Sequence, residues 1–288
     1  MLRLRIKHRT TYSYEKPVSF GRHRLILRPR EGHDLRIDDM KLEIEPAHRL
    51  MWVRDVFGNS VALLDLTEDS SSLTIVSDVL VHRSSHFPAR QMHEPFRVSY
   101  PVTYDPLEIT VSSAYQTLSY PEDSGSLRPW LDEHLSIDRS DAEGTMLALC
   151  EIIHKRIAYQ RRSEKGVQSP AETLERASGS CRDMATLMMD CARVLGIAAR
   201  FASGYLHCAA SMAGHASTHA WTEVYMPSLG WRGFDPTMGE PTSLRHVAAG
   251  VSNHPRGVMP ISGLFIGART DYKEMRVEVE TEELEELG

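Results

Sequence analysis

Apolar residues alternate with basic ones from the start of the chain. Leu2, Leu4 and Ile6 are each followed by Arg or Lys, which is the period-two pattern of a strand with one buried face. Turn sequences separate four further short apolar runs, at 22–28, 40–45, 61–66 and 73–81. Because no helical pattern interrupts them, these strands predict a small β-sandwich or partly open barrel over residues 1–83.

The pattern changes after a stretch that is rich in proline. Five prolines within 84–125 exclude long helices there and indicate a connection between two domains, at 88, 95, 101, 106 and 121. Beyond it, apolar residues recur at helical spacing over 142–158, where Cys150 has the place of a small core residue. A shorter helix is predicted after Pro170 and another over 181–195.

Three strands are predicted after these helices, at 198–206, 218–226 and 230–235. The segment 241–262 has the pattern of irregular structure, and 263–280 is compatible with closing strands. Helices therefore come first and a sheet follows, so that the fold class is α+β, with a C-terminal domain at 126–288.

Composition limits the class of protein without identifying it. The 288 residues are 41% hydrophobic and 25% charged, and the net charge of -6 is no reason to expect nucleic acid as a partner. The N-terminus lacks the apolar run of a signal peptide, and no stretch is long enough to span a membrane, so a cytoplasmic location is expected. Four cysteines in a chain of this length do not predict a disulfide framework, and each needs its own explanation.

Cys181 has an unusual position at the start of a predicted helix. Ser180 can cap that helix, and Asp183 can reach back to the Ser180 N–H as in a capping box. The positive end of the helix dipole favours a thiolate in the first turn, and the free N–H groups there can hold an oxyanion. Alternatively, Cys181 is one more small packing residue, as Cys191 is expected to be deeper in the helix.

A thiolate nucleophile needs a base and a group that orients the base. His219 begins one predicted strand and Asp235 ends the next, with a turn between them. If Tyr225 pairs with Trp231, Asp235 lies one diagonal step from His219 on the same face of the hairpin. A slip of one residue would put Asp235 on the opposite face, so the hypothesis requires an odd connection or a bulge.

A metal site is the alternative use of these histidines. His215 and His219 are four residues apart, with His207 and Cys208 nearby. The segment between the first two is rich in Gly, Ala and Ser and ends at a strand, so their spacing does not indicate a shared helix face. No calcium-loop pattern occurs either. We therefore expect no metal and no cofactor.

Three blocks of sequence resemble the bacterial transglutaminase-like family of the papain-like thiol enzymes. They are GSCRDMATLMMDCARVLGIAARFASGYL, THAWTEVYMPSLGWRGFDPT, and a trailing segment near His246 and 263–280. The resemblance covers most of 140–280, and the β-rich start resembles the N-terminal domain of these proteins. It implies a papain-like core, with a helix bundle packed on an antiparallel sheet. It also implies a Cys-His-Asp triad, at Cys181, His219 and Asp235.

The resemblance implies less about auxiliary residues. An aromatic residue or Gln upstream of the cysteine often completes the oxyanion hole in this superfamily, which makes Tyr159, Gln160 and Gln168 candidates. Tyr159 ranks first among them. Trp221, two residues after His219, either shields the His219–Cys181 ion pair from water or belongs to the core.

The expected activity is thiol-dependent acyl transfer at amide or peptide bonds, on a protein or peptide substrate. Hydrolysis by a cysteine peptidase or amidase is the first choice, because water resolves any thioester that it can reach. Transfer to an amine or peptide ligation is the second, and a non-catalytic binding module is the third. The Ala/Gly-rich loop at 209–217 is expected to overhang the cleft. The sequence does not indicate the oligomeric state.

Overall fold

The computed structural model describes residues 1–84, 97–162, 166–207 and 218–284. The N-terminal part consists of strands, and it includes one strand, β4, that the sequence pattern did not predict. The six strands are β1 (Leu2–Phe20), β2 (His23–Leu25), β3 (Leu35–Glu45), β4 (His48–Arg54), β5 (Ser60–Leu66) and β6 (Ser70–Arg83).

Helices and two short strands follow in the middle of the chain. They are α1 (Ile109–Ala114), α2 (Ser124–His134), α3 (Ala142–Arg156), β7 (Ala158–Tyr159), α4 (Pro170–Arg176), β8 (Ser178–Gly179) and α5 (Cys181–Val194). The three predicted helices are confirmed to within two residues at each end. The helix α2 was not predicted, because Pro129 inside it masks its apolar spacing.

Strands return after α5, and short 3-10 helices lie at Pro121–Asp123, Pro255–Val258 and Arg269–Asp271. The strands are β9 (Ala199–Leu206), β10 (Thr218–Met226), β11 (Gly230–Asp235), β12 (Glu240–Pro241), β13 (His246–Ser252), β14 (Ile261–Ser262), β15 (Phe265–Ile266) and β16 (Tyr272–Leu284). The prediction that 241–262 is irregular was wrong for β13, which is a full strand of the central sheet.

The N-terminal strands form a sandwich of two antiparallel sheets, as the alternating pattern predicted. One sheet has β1 at its centre, with β6 and then β3 on one side and β15 and β16 on the other. The second sheet has the order β14-β2-β5-β4. Leu25 and Leu64 of the second sheet pack with Ile75 of the first, and all three are buried. Burial of this shared face holds the two sheets together.

The C-terminal strands correct the predicted extent of the C-terminal domain. The boundaries 126–288 assigned the final strands to it, but β14 pairs with β2, and β15 and β16 pair with β1. The alternation of 263–280 indicates strands without indicating which edge they join. The last strands therefore complete the N-terminal sandwich and tie both ends of the chain together.

The helix α5 lies at the centre of the second half and packs against β10 and β9. Its apolar side joins the main core, as its spacing predicted. Its polar side is buried as well, and the ion pair between Arg193 and Asp190 (3.1 Å) lies inside the protein. Both groups are further satisfied by backbone atoms, since Arg193 donates to the Ala199 carbonyl and Asp190 accepts from the Ser119 N–H.

The central sheet has the order β12-β11-β10-β9-β13 and is antiparallel throughout. In it β9 lies between β10 and β13, and Gly204 of β9 is opposite His219. A Cβ at Gly204 would lie 2.0 Å from the carbonyl oxygen of Val247, so only glycine permits this close approach of β13. The approach brings the first residue of β13, His246, to the end of the sheet where β10 begins and β11 ends.

The sandwich packs directly on one end of this sheet. Leu4, Ile6 and Val79 of the sandwich share a buried cluster with Tyr205 and Val247 of the sheet. The contact includes a buried histidine, because His8 of β1 bonds to the hydroxyl groups of Tyr205 (3.1 Å) and Thr10 (2.9 Å). In the part of the chain that the structure describes, no helix is both long and apolar enough to cross a membrane. The cytoplasmic location stays a prediction.

Candidate active site

The first turn of α5 is held by a buried carboxylate. Asp183 accepts the Ser180 N–H (2.8 Å), which confirms the predicted return bond of the capping box. The same carboxylate accepts a hydrogen bond from the Gln168 N–H (2.8 Å) and forms an ion pair with Arg162 (2.8 Å). Burial alone would raise the pKa of Asp183, but these donors outweigh it and lower the pKa. A charged Asp183 thus fixes the segment that presents Cys181.

The hairpin of β10 and β11 brings His219 and Asp235 together. Tyr225 pairs with Trp231, as the sequence analysis required, and the three residues 227–229 form the odd connection. The His219 Nε2 atom lies 2.7 Å from the Asp235 Oδ2 atom, and Asp235 is fully buried. This distance is that of a strong, charge-assisted hydrogen bond.

Cys181, at the start of α5, is close enough to His219 to act on its pKa. Burial lowers the pKa of His219, but hydrogen bonds to Asp235 and to Cys181, together with the negative charges of both, outweigh it and raise the pKa well above its ordinary value. Because Nε2 is bound by Asp235, Nδ1 is the ring nitrogen that remains for the sulfur. The thiol of Cys181 is partly exposed, whereas His219 is buried.

The Asp235 carboxylate is hydrogen-bonded at both of its oxygens. Asp235 Oδ1 accepts the backbone N–H of Thr237 (2.9 Å), and Oδ2 accepts from His219 and also from His246 (3.1 Å). Burial would raise the pKa of this carboxyl, but the two histidines lower it to far below its usual range. Asp235 is therefore ionised at all ordinary pH values.

His246 forms a hydrogen-bonded cluster with Asp235 and His219. No role for it could be predicted from the sequence. The resemblance named its segment, but one histidine among fourteen carries no local signal of a contact with a residue eleven positions earlier. The pairing of β13 with β9 is what brings its ring to Asp235.

Tyr159 is the auxiliary candidate that lies near Cys181. It pairs with Gly179 in the short parallel ladder of β7 and β8, two residues before Cys181, and its side chain is half exposed. Partial burial raises the pKa of Tyr159, and the charge of Cys181 raises it further. Its phenol is thus within electrostatic reach of the sulfur.

The two upstream glutamines serve the local framework. Gln168 is buried, and its side-chain oxygen accepts a bond from the Thr173 hydroxyl (3.2 Å), while its backbone N–H binds Asp183. The backbone N–H of Gln160 donates to the Gly179 carbonyl (2.8 Å). The bond from Gln160 holds β8, which leads into α5, and the bonds of Gln168 connect α4 with the first turn of α5.

Trp221 is buried and lies beside both histidines of the cluster. Its ring centre is 6.4 Å from that of His219 and 5.3 Å from that of His246, with an edge-on arrangement to the latter. It also packs with Ala202 and Val251. Trp221 thus belongs to a small core that forms the wall of the site.

The other described cysteines and histidines do not join this site. Burial raises the pKa of the thiols of Cys150 and Cys191 far above the usual range, which suits packing residues. Of the predicted zinc alternative, His207 bonds to the Thr281 hydroxyl (3.0 Å), while Cys208 and His215 lie outside the described residues. The loop at 209–217 lies outside them too.

One group of potential metal ligands does occur among the described residues. His219, Asp235 and His246 each offer an atom, and these atoms lie within 4.8 Å of one another. The two histidine nitrogens are hydrogen-bonded to the carboxylate, so a cation would have to displace both bonds.

Two protein-family models match separate parts of the chain, and relatives match nearly all of it. Residues 4–82 match the model of the bacterial transglutaminase-like N-terminal region, and residues 133–236 match that of the transglutaminase-like superfamily. The uncharacterized protein Rv2569c of Mycobacterium tuberculosis is 29% identical over 276 residues, covering 91% of this chain and 87% of the relative. ML0607 of Mycobacterium leprae, also uncharacterized, is 23% identical over 295 residues, covering 97% and 99%.

A solved structure supports the fold over the whole length. The crystal structure of a "Putative Cysteine Protease" from Cytophaga hutchinsonii superposes with a TM-score of 0.74, at 18% identity, covering 99% of this chain and 91% of that one. That likeness shows the α+β fold. The chain thus carries a region that matches the bacterial transglutaminase-like N-terminal region, followed by one that matches the transglutaminase-like core, as the resemblance of its β-rich start and of the three later blocks implied.

Proposed function

We propose that this protein transfers acyl groups from amide or peptide bonds through a Cys181 thioester. The observation that carries the proposal is the contact chain Cys181–His219–Asp235, in which a thiol at a helix start meets a histidine that a buried carboxylate orients. The transglutaminase-like core supports it, because triads of this kind are what the resemblance implies.

The raised pKa of His219 favours its imidazolium form at neutral pH, next to Cys181. The Cys181 thiolate attacks the carbonyl carbon, and the backbone N–H groups of the first turn of α5 stabilise the oxyanion. Tyr159, half exposed and within electrostatic reach of the sulfur, is the side chain that we assign as a further donor to that oxyanion.

Collapse of the intermediate breaks the C–N bond, and His219 Nδ1 donates its proton to the leaving amine. Asp235 accepts the Nε2–H throughout and keeps the ring in this orientation. In the second half, His219 Nδ1 takes a proton from water, the hydroxide forms the new C–O bond, and the Cys181 thiolate leaves. The proton on His219 restores the starting ion pair.

Hydrolysis is the first expectation, because Cys181 is partly exposed and water can reach its thioester. An amine acceptor would use the same thioester, so amine transfer or peptide ligation is the second. A protein-binding module without activity is the third, and it is disfavoured because it would not require a bonded Cys-His-Asp arrangement. A protein or peptide is the substrate class that this chemistry fits.

Selective alkylation tests the nucleophile before any substrate is known. Iodoacetamide at about pH 6, well below the pKa of an ordinary thiol, should label Cys181 and leave Cys150 and Cys191 unmodified. Cys181→Ala should abolish the labelling, and Cys191→Ala, which removes a buried thiol of the same helix, should leave it unchanged. Equal labelling of several thiols, or none at Cys181, would favour the binding module.

Mass spectrometry then separates the two activities. A peptide library that contains glutamine is incubated with the protein, with and without a primary amine. Cleavage or deamidation in both samples indicates hydrolysis, whereas a mass increase equal to the amine minus ammonia indicates transfer. The Cys181→Ala protein is the control for both readouts.

A further inference from the structure

One buried histidine next to Asp235 has no part in the proposed chemistry. His246 is 3% exposed, and its Nε2 atom lies 3.1 Å from Asp235 Oδ2, the same oxygen that His219 binds. It is the first residue of β13, which begins at the end of the sheet where β11 ends. A buried histidine with a carboxylate partner needs a reason for its place.

The protonation of His246 follows from its second contact. The backbone N–H of Ser243 points at the His246 Nδ1 atom, at 3.1 Å. A backbone N–H can only donate, so Nδ1 must be the unprotonated acceptor. A neutral ring then carries its proton on Nε2, and that N–H donates to Asp235. The peptide backbone thus selects the tautomer that serves the carboxylate.

Asp235 is consequently held by three donors, namely Thr237 N–H on Oδ1 and the two histidines on Oδ2. The titratable groups in contact with His246 among the described residues are Asp235 and, through ring packing, His219. Trp221 lies edge-on against the His246 ring and restricts its rotation. Each contact limits the freedom of the carboxylate to turn away from His219.

We propose that His246 is a positioning residue of the thiol site, which acts on Cys181 through Asp235 and His219. By donating from Nε2 it keeps the Oδ2 atom of Asp235 aimed at His219. The inference rests on the proposed function, since only a reactive Cys181 makes the orientation of Asp235 matter. The effect of His246 should be visible in the pH dependence of Cys181 alkylation.

The test is the rate of Cys181 alkylation by iodoacetamide as a function of pH, in the full-length protein. His246→Leu removes one of the donors that orient Asp235, so Asp235 holds the protonated His219 ring less firmly beside Cys181, and the acid-side midpoint of alkylation should move to higher pH by about one unit or more. At pH values below the midpoint, the alkylation rate of His246→Leu should be about tenfold lower than that of the unmodified protein. His246→Gln keeps an N–H donor near the same place and should recover most of the rate.

A matched control comes from His8, a buried histidine with two hydrogen bonds that lies outside the site. His8→Leu should lower stability but leave the midpoint unchanged, because His8 bonds to Tyr205 and Thr10 and not to Asp235. An unchanged midpoint in His246→Leu would overturn the proposal. So would a midpoint in His246→Gln that moves as far as in His246→Leu, because the donor would then be irrelevant.

The outcomes separate this inference from the proposed function. If the unmodified protein shows no selective reactivity at Cys181, the proposed function fails. If it does and His246→Leu behaves like it, only the role of His246 fails. Should His246→Leu not fold, ¹H–¹⁵N spectra of the imidazole nitrogens in the unmodified protein decide: protonation of His246 at Nε2 supports the inference, and protonation at Nδ1 overturns it.

Discussion

Two buried histidines in this protein have nearly equal exposure and opposite chemistry. His8, at the contact of the sandwich with the central sheet, is 2% exposed, and His219 is 8% exposed. Burial lowers the pKa of His8 to about 4, because its partners are the neutral hydroxyls of Tyr205 and Thr10. Burial acts on His219 in the same direction, but Asp235 and Cys181 reverse the result and raise its pKa.

The comparison shows that burial alone makes a histidine neutral and inert. What makes a buried histidine a base is a charged partner that was desolvated with it. His8 contributes hydrogen bonds to the contact of the sandwich with the central sheet, whereas the raised pKa of His219 lets it keep a positive charge beside Cys181. Each prediction below removes one of the features that separate the two sites.

Asp235→Asn should have the largest effect, because it makes the surroundings of His219 resemble those of His8. Without the carboxylate the pKa of His219 falls and its ring loses its fixed tautomer. The second-order rate of Cys181 alkylation at about pH 6, and any turnover, should drop by about 10³-fold or more. Retention of the rate to within tenfold would mean that Asp235 does not set the charge of His219.

His8→Gln should remove a pH dependence of stability. The folded pKa of His8 is about 4 and its unfolded value about 6.5, so the folded state binds fewer protons between these values. Its contribution is therefore complete above pH 6.5, and about 3 kcal/mol is lost as the pH falls to about 4.

Urea unfolding at neutral pH and near pH 4.5 measures this difference. The free energy of unfolding of His8→Gln should decline less with acid than that of the unmodified protein. His33→Gln, at an exposed position, is the control and should leave the decline unchanged. A decline of equal size in His8→Gln would contradict the assigned cause.

Trp221→Phe should have a moderate effect on the free energy of unfolding and on the rate of Cys181 alkylation. The smaller ring leaves a gap in the wall beside His219 and His246, and core changes of this kind cost about 1–2 kcal/mol. If Trp221 also keeps water from the ion pair, alkylation of Cys181 at acid pH should slow a few-fold. A loss of stability with an unchanged alkylation profile would assign Trp221 to the core alone.

Tyr205→Phe should have the smallest effect. It leaves the Nδ1 atom of His8 without its hydroxyl partner, while Thr10 still bonds to Nε2. The free energy of unfolding should fall by about 1 kcal/mol at neutral pH, and the reactivity of Cys181 should not change. A change in reactivity would indicate that the contact of the sandwich with the sheet is coupled to the site.

The features that could be predicted from the sequence are those whose cause is local. The alternation in β1, the capping of α5 by Asp183 and the hairpin from β10 to β11 all depend on residues within a few positions of one another. The odd turn between β10 and β11 set the register, and the register placed Asp235 beside His219. The resemblance of three blocks then connected that hairpin to Cys181.

The features that escaped prediction depend on distant pairing. The strand β16 joins β1 across the full length of the chain, and its alternation suits any sheet edge equally well. The helix α2 was obscured by its internal Pro129, and β13 by the irregular sequence around it. The buried polar side of α5 likewise needs Ser119 and Ala199, which come from other elements.

The strands of the first part of the chain, the helix that begins at Cys181 and the hairpin of His219 and Asp235 could be predicted from local sequence, because hydrophobic period and turn length act over a few residues. The tertiary structure alone decided the charge of His219, the contrast with His8 and the place of His246. These depend on which groups are buried together, since an electrostatic interaction grows strong only when its partners leave water at the same point in space.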